Sequence, residues 1–528
     1  MGRSIMVSRN IFDLENISRE CDYLRGLGKD TIWNGPADTS IATVVPNSVY
    51  PPREDTYLLA TAIYLRGKGA GKRFFEVGVG SGVVTAFASS QGWNVSGCDI
   101  NPMAVSCARG LLRERGVEPS TIFEGGPGEG IGPDGGDGKG IDWAGAGGYD
   151  LLVWNLPYIS PPDVGEPHLG PLEEAGLVDF DDADDKLLDS LEQHPHILNR
   201  GATILLLCNN DANGLTLRSR WLARGWASRI LEQDPMGDGE VLRVVELWLP
   251  WQDSEAMVVD ELDSTNTHLL ASGGRQGDRI RALRQLRGRG HRARKWDSVS
   301  GDLTCSWLIH EGEISTTYFR PGMLQLEAAL AVLDTIAALS GQQLPSEGMS
   351  AMESMAALGF SVKWPNDIWY KGGKLAGILA ESRSFQERLR IVLGIGINIA
   401  ERKRDSTSPR PLATLADYNL VSHSIVKIEM VLNAALASIQ ERRPSHPEHC
   451  KKTTTITGES NAITDVNELV FASVAIHVDK YGSPTLNHEE ITLLGISPTG
   501  TLEIIDQGGN HLSIDDTSSL LWPPQSAG

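Results

Sequence analysis

The sequence predicts three consecutive folded regions: a doubly wound α/β sheet over residues 1–250, an α+β domain over 257–449 and a small β-barrel over 450–528. Three observations carry this. The chain has 528 residues, more than one hydrophobic core usually serves, since domains run to roughly 100–200 residues. From Arg73 onward, apolar β-rich runs alternate with helix-compatible segments, the rhythm of a largely parallel sheet. Beyond about Cys450, short runs are separated by turn signals at Tyr481-Gly482-Ser483, Pro498-Thr499-Gly500 and Gln507-Gly508-Gly509, as in a small barrel.

Taken in order, strands are expected at Phe74–Val77, Val95–Cys98, Leu151–Trp154 and Ile204–Leu207, with a helix at Met103–Arg115. The first region ends near Trp248–Trp251, where Pro250 and Gln252-Asp253-Ser254-Glu255 read as a linker. A second pattern starts at Met257, with an amphipathic helix at Met323–Leu339 and strands at Ser361–Trp364 and Ile391–Ile395. Gly125–Gly148 is glycine-rich, and ordering it in a core would forfeit much entropy, so it reads as a surface loop. Residues 163–192 carry eleven acidic groups against Lys186 alone, a solvated loop and helix face.

Hydrophobic residues make up 41% and charged residues 22% of the chain, so a buried core is available without disulfides or lipid. The six cysteines, Cys21, Cys98, Cys107, Cys208, Cys305 and Cys450, form no CxxC pair. Neither a zinc site nor a disulfide framework is therefore expected, and a reducing, cytoplasmic setting fits. The N-terminus lacks a signal-peptide pattern. Ile204–Cys208 is too short to span a membrane and Met323–Leu339 carries Glu327 and Asp334, so no membrane span is expected. The net charge of −21 divides into 21 basic against 35 acidic groups in residues 1–250 and 26 against 33 in the remainder. That balance disfavours a nucleic-acid partner, and the one basic stretch, Arg275 to Lys295, has another explanation below.

Activating a carboxylate with ATP brings two anions together, so such a site needs positive charge and close backbone approach. The run Gln285-Leu286-Arg287-Gly288-Arg289-Gly290-His291-Arg292-Ala293-Arg294-Lys295-Trp296 combines loop-closing glycines with guanidinium groups able to fork onto phosphate. Alone it would also suit a nucleic-acid patch or a solvated arginine loop. It is preceded by Asp263-Ser264-Thr265-Asn266 and followed by Lys363-Trp364-Pro365-Asn366-Asp367, Lys374-Leu375-Ala376-Gly377-Ile378-Leu379 and Gly394-Ile395-Gly396-Ile397-Asn398. Together, across roughly 257–400, these elements resemble the biotin protein ligases in the same order. Lipoate ligases share the fold, but the joint presence of the Gly288-Arg289-Gly290 loop and Lys363–Asp367 favours biotin. The resemblance implies that Ser264, Thr265 and Gln285 hydrogen-bond the biotin ring system and that Gly288, Arg289 and Gly290 order over the adenylate. It also implies that Lys374 contacts carboxylate and phosphate, and that Asn366, Asp367 and Asn398 lie on the nucleotide or metal side, with Mg2+ accompanying ATP. Asn266, His291, Arg294, Trp296 and Lys363 complete the implied biotin and ATP set, although Trp296 and Trp364 serve a core equally well. His291 stands where the family has a second loop arginine. Lys374 and Arg289 are the implied catalytic groups, and the implied partner is a biotin carboxyl carrier protein or domain. The tail, including Leu493-Leu494-Gly495-Ile496 and Leu502-Glu503-Ile504-Ile505, resembles the family's small C-terminal β-domain.

In the first region, Phe74-Phe75-Glu76-Val77-Gly78-Val79-Gly80-Ser81-Gly82 places glycines where a strand turns into a helix, and Asp99 ends the next expected strand. A carboxylate there can accept both ribose hydroxyls of a nucleoside, leaving S-adenosylmethionine and a dinucleotide both open. Tyr149-Asp150-Leu151-Leu152-Val153-Trp154-Asn155-Leu156-Pro157-Tyr158 supplies the choice. An amide or exocyclic amino nitrogen is a poor nucleophile and needs acceptors to orient it; Asn155 and the Leu156 carbonyl offer them, and Tyr158 a stacking face. This resembles the Asn-Pro-Pro-Tyr motif of amino-group methyltransferases, with Leu156 in place of the first proline. With Val49-Tyr50-Pro51-Pro52-Arg53-Glu54-Asp55-Thr56 and Asp142-Trp143, residues 48–210 resemble the HemK-like glutamine methyltransferases that act on release factors. The resemblance implies a cofactor site of Glu76, Gly78, Gly80, Gly82, Asp99, Trp143, Asn155, Pro157 and Tyr158, with Asn155 catalytic and a translation release factor as partner. The alternatives are a degenerate, non-catalytic domain and a nucleic-acid adenine methyltransferase; the acidic balance of residues 1–250 argues against the latter.

Overall fold

The computed structural model describes residues 28–127, 142–157, 183–237, 239–288, 290, 296, 299–313, 321–401, 411–419, 422–441, 466–515 and 520–523. These fall into two compact units, one from residue 28 to Leu217 with Arg229–Trp248, the other Arg218–Ser228 with the described residues of Leu249–Arg442 and Ile456–Gly528.

The first unit is built on a seven-stranded sheet. In spatial order its strands are Ile122–Glu124, Asn94–Asp99, Arg73–Val77, Tyr149–Asn155, Leu198–Cys208, Val241–Trp248 and Ala227–Pro235. The first five run parallel, and Val241–Trp248 pairs antiparallel with Leu198–Cys208. Parallel strands buried on both faces need continuous apolar runs. Leu151, Leu152, Val153, Ile204, Leu205, Leu206 and Leu207 supply them, all at most 1% exposed. Helices Glu54–Leu65, Val83–Ser90 and Pro102–Glu114 cover this sheet. The last is started by Asn101, whose side chain accepts from Met103 N, with Pro102 at the first helical position. The four expected strands are present, each extended by one to seven residues, and the helix keeps its expected length, shifted by one residue. Most of the glycine-rich stretch (128–141) and most of the acidic one (158–182) lie outside the described residues. The end of the acidic stretch is the helix Ala183–Gln193, which buries Asp184, Leu187, Leu188 and Leu191 and so is only half a solvated face.

The second unit has its own seven-stranded sheet, in the order Ala256–Leu262, Arg279–Gln285, Leu303–Glu313, Arg388–Ile397, Gly373–Phe385, Asp367–Tyr370 and Phe360–Lys363. Only the first pair is parallel. Helices Pro321–Leu339 and Ile425–Gln440 pack together against it, and Thr265–Ser272 packs on the three strands from Arg279–Gln285 to Arg388–Ile397. Among the described residues Gly322–Leu339 is the one segment long and apolar enough to cross a membrane, and 83% of it is buried inside the fold. The expected linker is a turn instead: Trp251 is buried, its N–H donates to Glu441 Oε2 at 3.0 Å, and Ser254 N closes back on the Trp251 carbonyl.

The C-terminal region departs from the expected barrel. It contains a helix, Val466–Tyr481, which packs on strand Phe360–Lys363; Ser473 Oγ accepts from Val362 N at 3.1 Å. The strands that follow pair as two separate three-stranded antiparallel sheets, Glu489–Glu490, Thr485–Leu486 and Leu520–Leu521 in one, Thr492–Ile496, Leu502–Ile505 and His511–Ile514 in the other.

Candidate functional site

A cleft of about 230 Å³ opens in the second unit over the centre of its sheet. Its polar end is made where helix Thr265–Ser272 begins. Ser264 caps that helix by accepting from Thr267 N, and Thr265 N and Oγ1 donate to Gln285 Oε1 at 2.9 and 3.2 Å. Behind them Ser306 Oγ lies 2.6 Å from both Thr265 Oγ1 and Asn266 Oδ1, and Asn266 Nδ2 donates to Glu381 Oε2 at 2.8 Å. Ser264, Thr265 and Asn266 are each 4% exposed. A buried network with this degree of mutual satisfaction fixes rotamers, which a shape-selective site requires.

The cationic end is set by the short strands beyond. Lys374 is held at the backbone, donating from N to the Pro411 carbonyl at 2.8 Å and accepting from Ala413 N at 2.9 Å. Its ammonium pairs with Asp367 Oδ1 at 2.6 Å and stands 5.3 Å from the Trp296 ring centroid. Lys363 lies over the rings of Trp369 (4.9 Å) and Trp522 (5.3 Å). Beneath it His477, fully buried, holds its Nδ1 3.0 Å from Ser361 Oγ; burial, reinforced by the Lys363 charge, pushes its pKa down to about 3.

Between the two ends the floor is glycine. A Cβ at Gly377 would stand 2.8 Å from the Trp296 ring, one at Gly396 2.7 Å from its Nε1, and one at Gly394 2.9 Å from Cγ of Asn266. The spaced glycines of the sequence are therefore required by contact, because the indole lies directly on the strand backbone. Trp296 Nε1 is buried there without a hydrogen-bond partner.

The structure brings Ser264, Thr265, Asn266, Gln285, Gly290, Trp296, Lys363, Asn366, Asp367 and Lys374 into the lining of this one cleft. Gly288 stands behind it, its carbonyl accepting from Trp296 N at 2.9 Å. Asn398 corrects the expectation of a ligand contact. It is 1% exposed, and its Nδ2 donates to the carbonyls of Lys374 (3.0 Å) and Ala413 (3.2 Å), so it clamps the Lys374 backbone from behind. Asn366 is partly engaged in the same way, donating to the Ile378 carbonyl at 2.6 Å. Arg289, His291 and Arg294 lie outside the described residues. Trp364, left open between core and ligand, is 2% exposed and donates to the Gly500 carbonyl at 3.2 Å. Sequence reasoning missed Thr304, Cys305, Leu520 and Trp522 in the lining. Thr304 carries a faint signal, since Thr304 and Ser306 alternate along one strand; Leu520 and Trp522 carry none.

In the first unit, Gly78, Gly80 and Gly82 all have positive φ (68°, 50° and 80°), the turn that sends strand Arg73–Val77 into helix Val83–Ser90. Gly82 also serves packing, since a Cβ there would lie 2.7 Å from Ala108 Cα. Asp99 accepts from Gly80 N and Asn101 N, both at 2.8 Å, and burial raises its pKa to about 6. Glu76 faces inward, bonded to the Thr85 hydroxyl, and burial pushes it up to about 8. Trp143, one of the implied cofactor residues, is instead 2% exposed and packs edge-on against Phe75 at 5.9 Å, because the apolar ring fills the core. Asn155 ends its strand with Nδ2 donating to Asp55 Oδ2 at 2.9 Å, while its Oδ1 is buried without a partner. Pro157 follows it and Tyr158 lies outside the described residues.

Among the described residues no group of three or more His, Cys, Asp or Glu side chains could hold a metal ion.

A mixed sheet bearing a polar-to-cationic cleft over a glycine floor is thus the class of site in the second unit. Comparison with known proteins is more specific there: residues 259–398 match the biotin/lipoate A/B protein ligase family. The chain is 32% identical over 181 residues to the biotin--[acetyl-CoA-carboxylase] ligase of Mycobacterium tuberculosis (strain ATCC 25618 / H37Rv), covering 32% of this chain and 60% of that protein. It is 33% identical over 152 residues to the bifunctional ligase/repressor BirA of Escherichia coli (strain K12), covering 28% and 41%. The chain thus spans 41–60% of the length of these relatives. Among solved structures, a biotin protein ligase from Aquifex aeolicus in complex with biotin and ATP aligns at 22% identity over 51% of this chain and 99% of that one, with a TM-score of 0.35. A ribosomal protein L11 methylase from Lactobacillus delbrueckii subsp. bulgaricus aligns at 18% identity over 37% and 80%, with a TM-score of 0.25.

Proposed function

We propose that the second unit joins biotin to AMP and transfers it to a lysine of a carrier protein. The observation that carries this is the single cleft in which a fixed hydroxyl–amide end (Thr265, Gln285) and an ammonium (Lys374) face each other across a glycine floor. A neutral ring system suits the first end and a carboxylate approaching phosphate the second. In the first half-reaction a carboxylate oxygen bonds to the α-phosphorus and the bond to pyrophosphate breaks. Lys374 Nζ offsets the negative charge gathered there, a contribution strongest where water is excluded. In the second, a carrier lysine amine attacks the acyl carbon, forms the amide and expels AMP, giving up a proton. Asp367 beside Lys374 would hold the Mg2+ that accompanies ATP, which commonly takes one or two carboxylates plus phosphate oxygens. Asn398 contributes by holding the Lys374 backbone.

The test is direct. The full chain is incubated with biotin, ATP and a purified biotin carboxyl carrier domain, and carrier modification is read by mass. Modification that requires both small molecules supports the reading, and preference for lipoate in competition would redirect it to the sister activity.

For the first unit we propose an S-adenosylmethionine-dependent N-methyltransferase acting on a protein glutamine, with a translation release factor as acceptor and a cytoplasmic setting. The residues fit the cofactor: within the Gly78–Gly82 turn Gly80 leaves open backbone, with nothing within 4 Å of where a Cβ would stand, and Asp99 retains lone pairs beyond its two backbone bonds for a ribose. The cofactor supplies an electrophilic methyl group. The chain supplies the acceptor Asn155 Oδ1, buried and free to orient an incoming N–H. Calorimetric binding of S-adenosylmethionine, followed by labelling of a release factor from the radioactive cofactor, tests both parts.

A further inference from the structure

We infer that Asp55 is a positioning residue for methyl transfer: its carboxylate fixes the side-chain amide of Asn155 so that Oδ1, and not Nδ2, faces the acceptor nitrogen. The inference rests on the methyltransferase reading above and deepens it.

An asparagine amide is nearly symmetric in shape, and only its partners decide which end points where. Asp55, at the start of helix Glu54–Leu65, is 2% exposed. Its Oδ2 accepts from Asn155 Nδ2 at 2.9 Å across one hundred residues of sequence. An ionised carboxylate can only accept, so it selects the NH2 end of the amide and turns the oxygen the other way. The carboxylate is itself held. Oδ1 accepts from Thr56 N at 2.6 Å and from Thr56 Oγ1 at 3.1 Å, and the Tyr50 hydroxyl bonds to it as well. Burial and this acidic neighbour push Tyr50 up to about 12, so its hydroxyl stays a donor throughout the neutral range. The result is a relay of donors, Tyr50 and Thr56 to Asp55, with Asn155 at its end.

The free end of the amide is what gives the relay a purpose. Buried polar atoms in folded proteins nearly always find a partner, and one left open needs an explanation. Asn155 Oδ1 is buried and open. A planar amide or amine nitrogen carries its lone pair in conjugation, and an acceptor on its N–H is what turns that lone pair toward an electrophilic methyl group. Were the amide reversed, Nδ2 would meet the acceptor N–H donor to donor. Asp55 meets the amide at Nδ2, the end opposite the open oxygen, so its effect on the acceptor nitrogen runs through Asn155.

The experiment uses the full chain and the variants Asp55→Asn, Asn155→Ala and the double variant. Asparagine at 55 keeps the shape but can present either end, so the orientation is lost without removing volume. Four readouts are taken: S-adenosylmethionine affinity by calorimetry, melting temperature, the Asn155 side-chain NH2 signals by NMR, and kcat and KM for release-factor methylation. We expect cofactor affinity within about twofold of wild type, and loss in Asp55→Asn of the downfield, exchange-protected amide proton bound to the carboxylate. We expect kcat down roughly 10- to 100-fold with KM little changed, the scale of a misoriented reacting group. In the double variant Asp55→Asn should add nothing to Asn155→Ala, because the two act as one unit. An unchanged kcat, or an independent further loss in the double variant, overturns the inference while leaving the methyltransferase reading intact. Should wild type neither bind the cofactor nor transfer methyl groups, the reading itself falls and the inference with it. Tyr50→Phe guards against misfolding of Asp55→Asn: losing one anchor of the relay should lower kcat a few fold, and no change there also counts against the inference.

Discussion

If the second unit takes biotin as proposed, adding one methyl group at Gly396 should raise the KM for biotin without unfolding that unit. Gly396 pairs with Thr304 on one side and Gly377 on the other, so the strand backbone cannot retreat. An alanine Cβ would stand 2.7 Å from Trp296 Nε1 and nearer still to the ring carbons, against the roughly 3.5–4.0 Å at which carbon atoms rest. The indole must therefore lift by about 1 Å or more, and the cleft it lines holds only about 230 Å³. Overpacking of this kind amounts to about 1–3 kcal/mol, which as lost ligand binding is roughly a 5- to 150-fold rise in KM. Global stability should fall by no more than that, about 1–3 kcal/mol, a shift of a few degrees that leaves the unit folded. Pyrophosphate release measured against biotin concentration, beside a melting curve, reads both. Gly495→Ala is the control, since a Cβ there meets nothing within 4 Å. An unchanged KM with a large fall in melting temperature would refute the reasoning and make Gly396 and Trp296 ordinary core packing.

Two further outcomes follow from the first unit. Asp99→Ala removes the acceptor expected to hold the cofactor's ribose and should weaken S-adenosylmethionine binding by about 1.5–3 kcal/mol, read by calorimetry; equal affinity in both proteins would remove Asp99 from the site. Glu76, near 8 in the fold against 4.5 when exposed, binds a proton in the folded state that the unfolded chain has released. Stability should therefore fall as pH rises from about 5 to 8, by on the order of 3 kcal/mol, with Asp99 acting in the same sense at lower pH. Glu76→Gln should flatten that slope in denaturant titrations, and a slope identical to wild type would place the effect elsewhere.

The strands of both sheets were legible because their signal is local: Leu151–Trp154 and Ile204–Leu207 are apolar runs long enough to be buried on both faces. The cleft was legible because its glycines and its Ser264–Asn266 and Lys363–Asp367 segments each have one chemical reason to be where they are. Asn398 misled, since an asparagine that clamps the Lys374 and Ala413 carbonyls looks the same in sequence as one that touches a ligand. Trp143 misled likewise, because a large ring fits a core as well as a nucleoside. Trp522 could not have been found: it reaches the cleft only because Leu520–Leu521 pairs with Thr485–Leu486, a contact between segments that no local pattern links. The tail read as a barrel because turn spacing reports strands but not their closure, and helix Val466–Tyr481 has its burial set by the sheet it covers.

The central claim is that Lys374 works at the reacting phosphate. It is tested by biotin-dependent exchange of labelled pyrophosphate into ATP, comparing wild type with Lys374→Met, which keeps an unbranched side chain one atom shorter and removes its charge. Removing one preorganised charge contact of this kind lowers turnover by roughly 10²–10³, so exchange should fall by that factor while the melting temperature stays within a few degrees. Exchange within threefold of wild type would contradict the account.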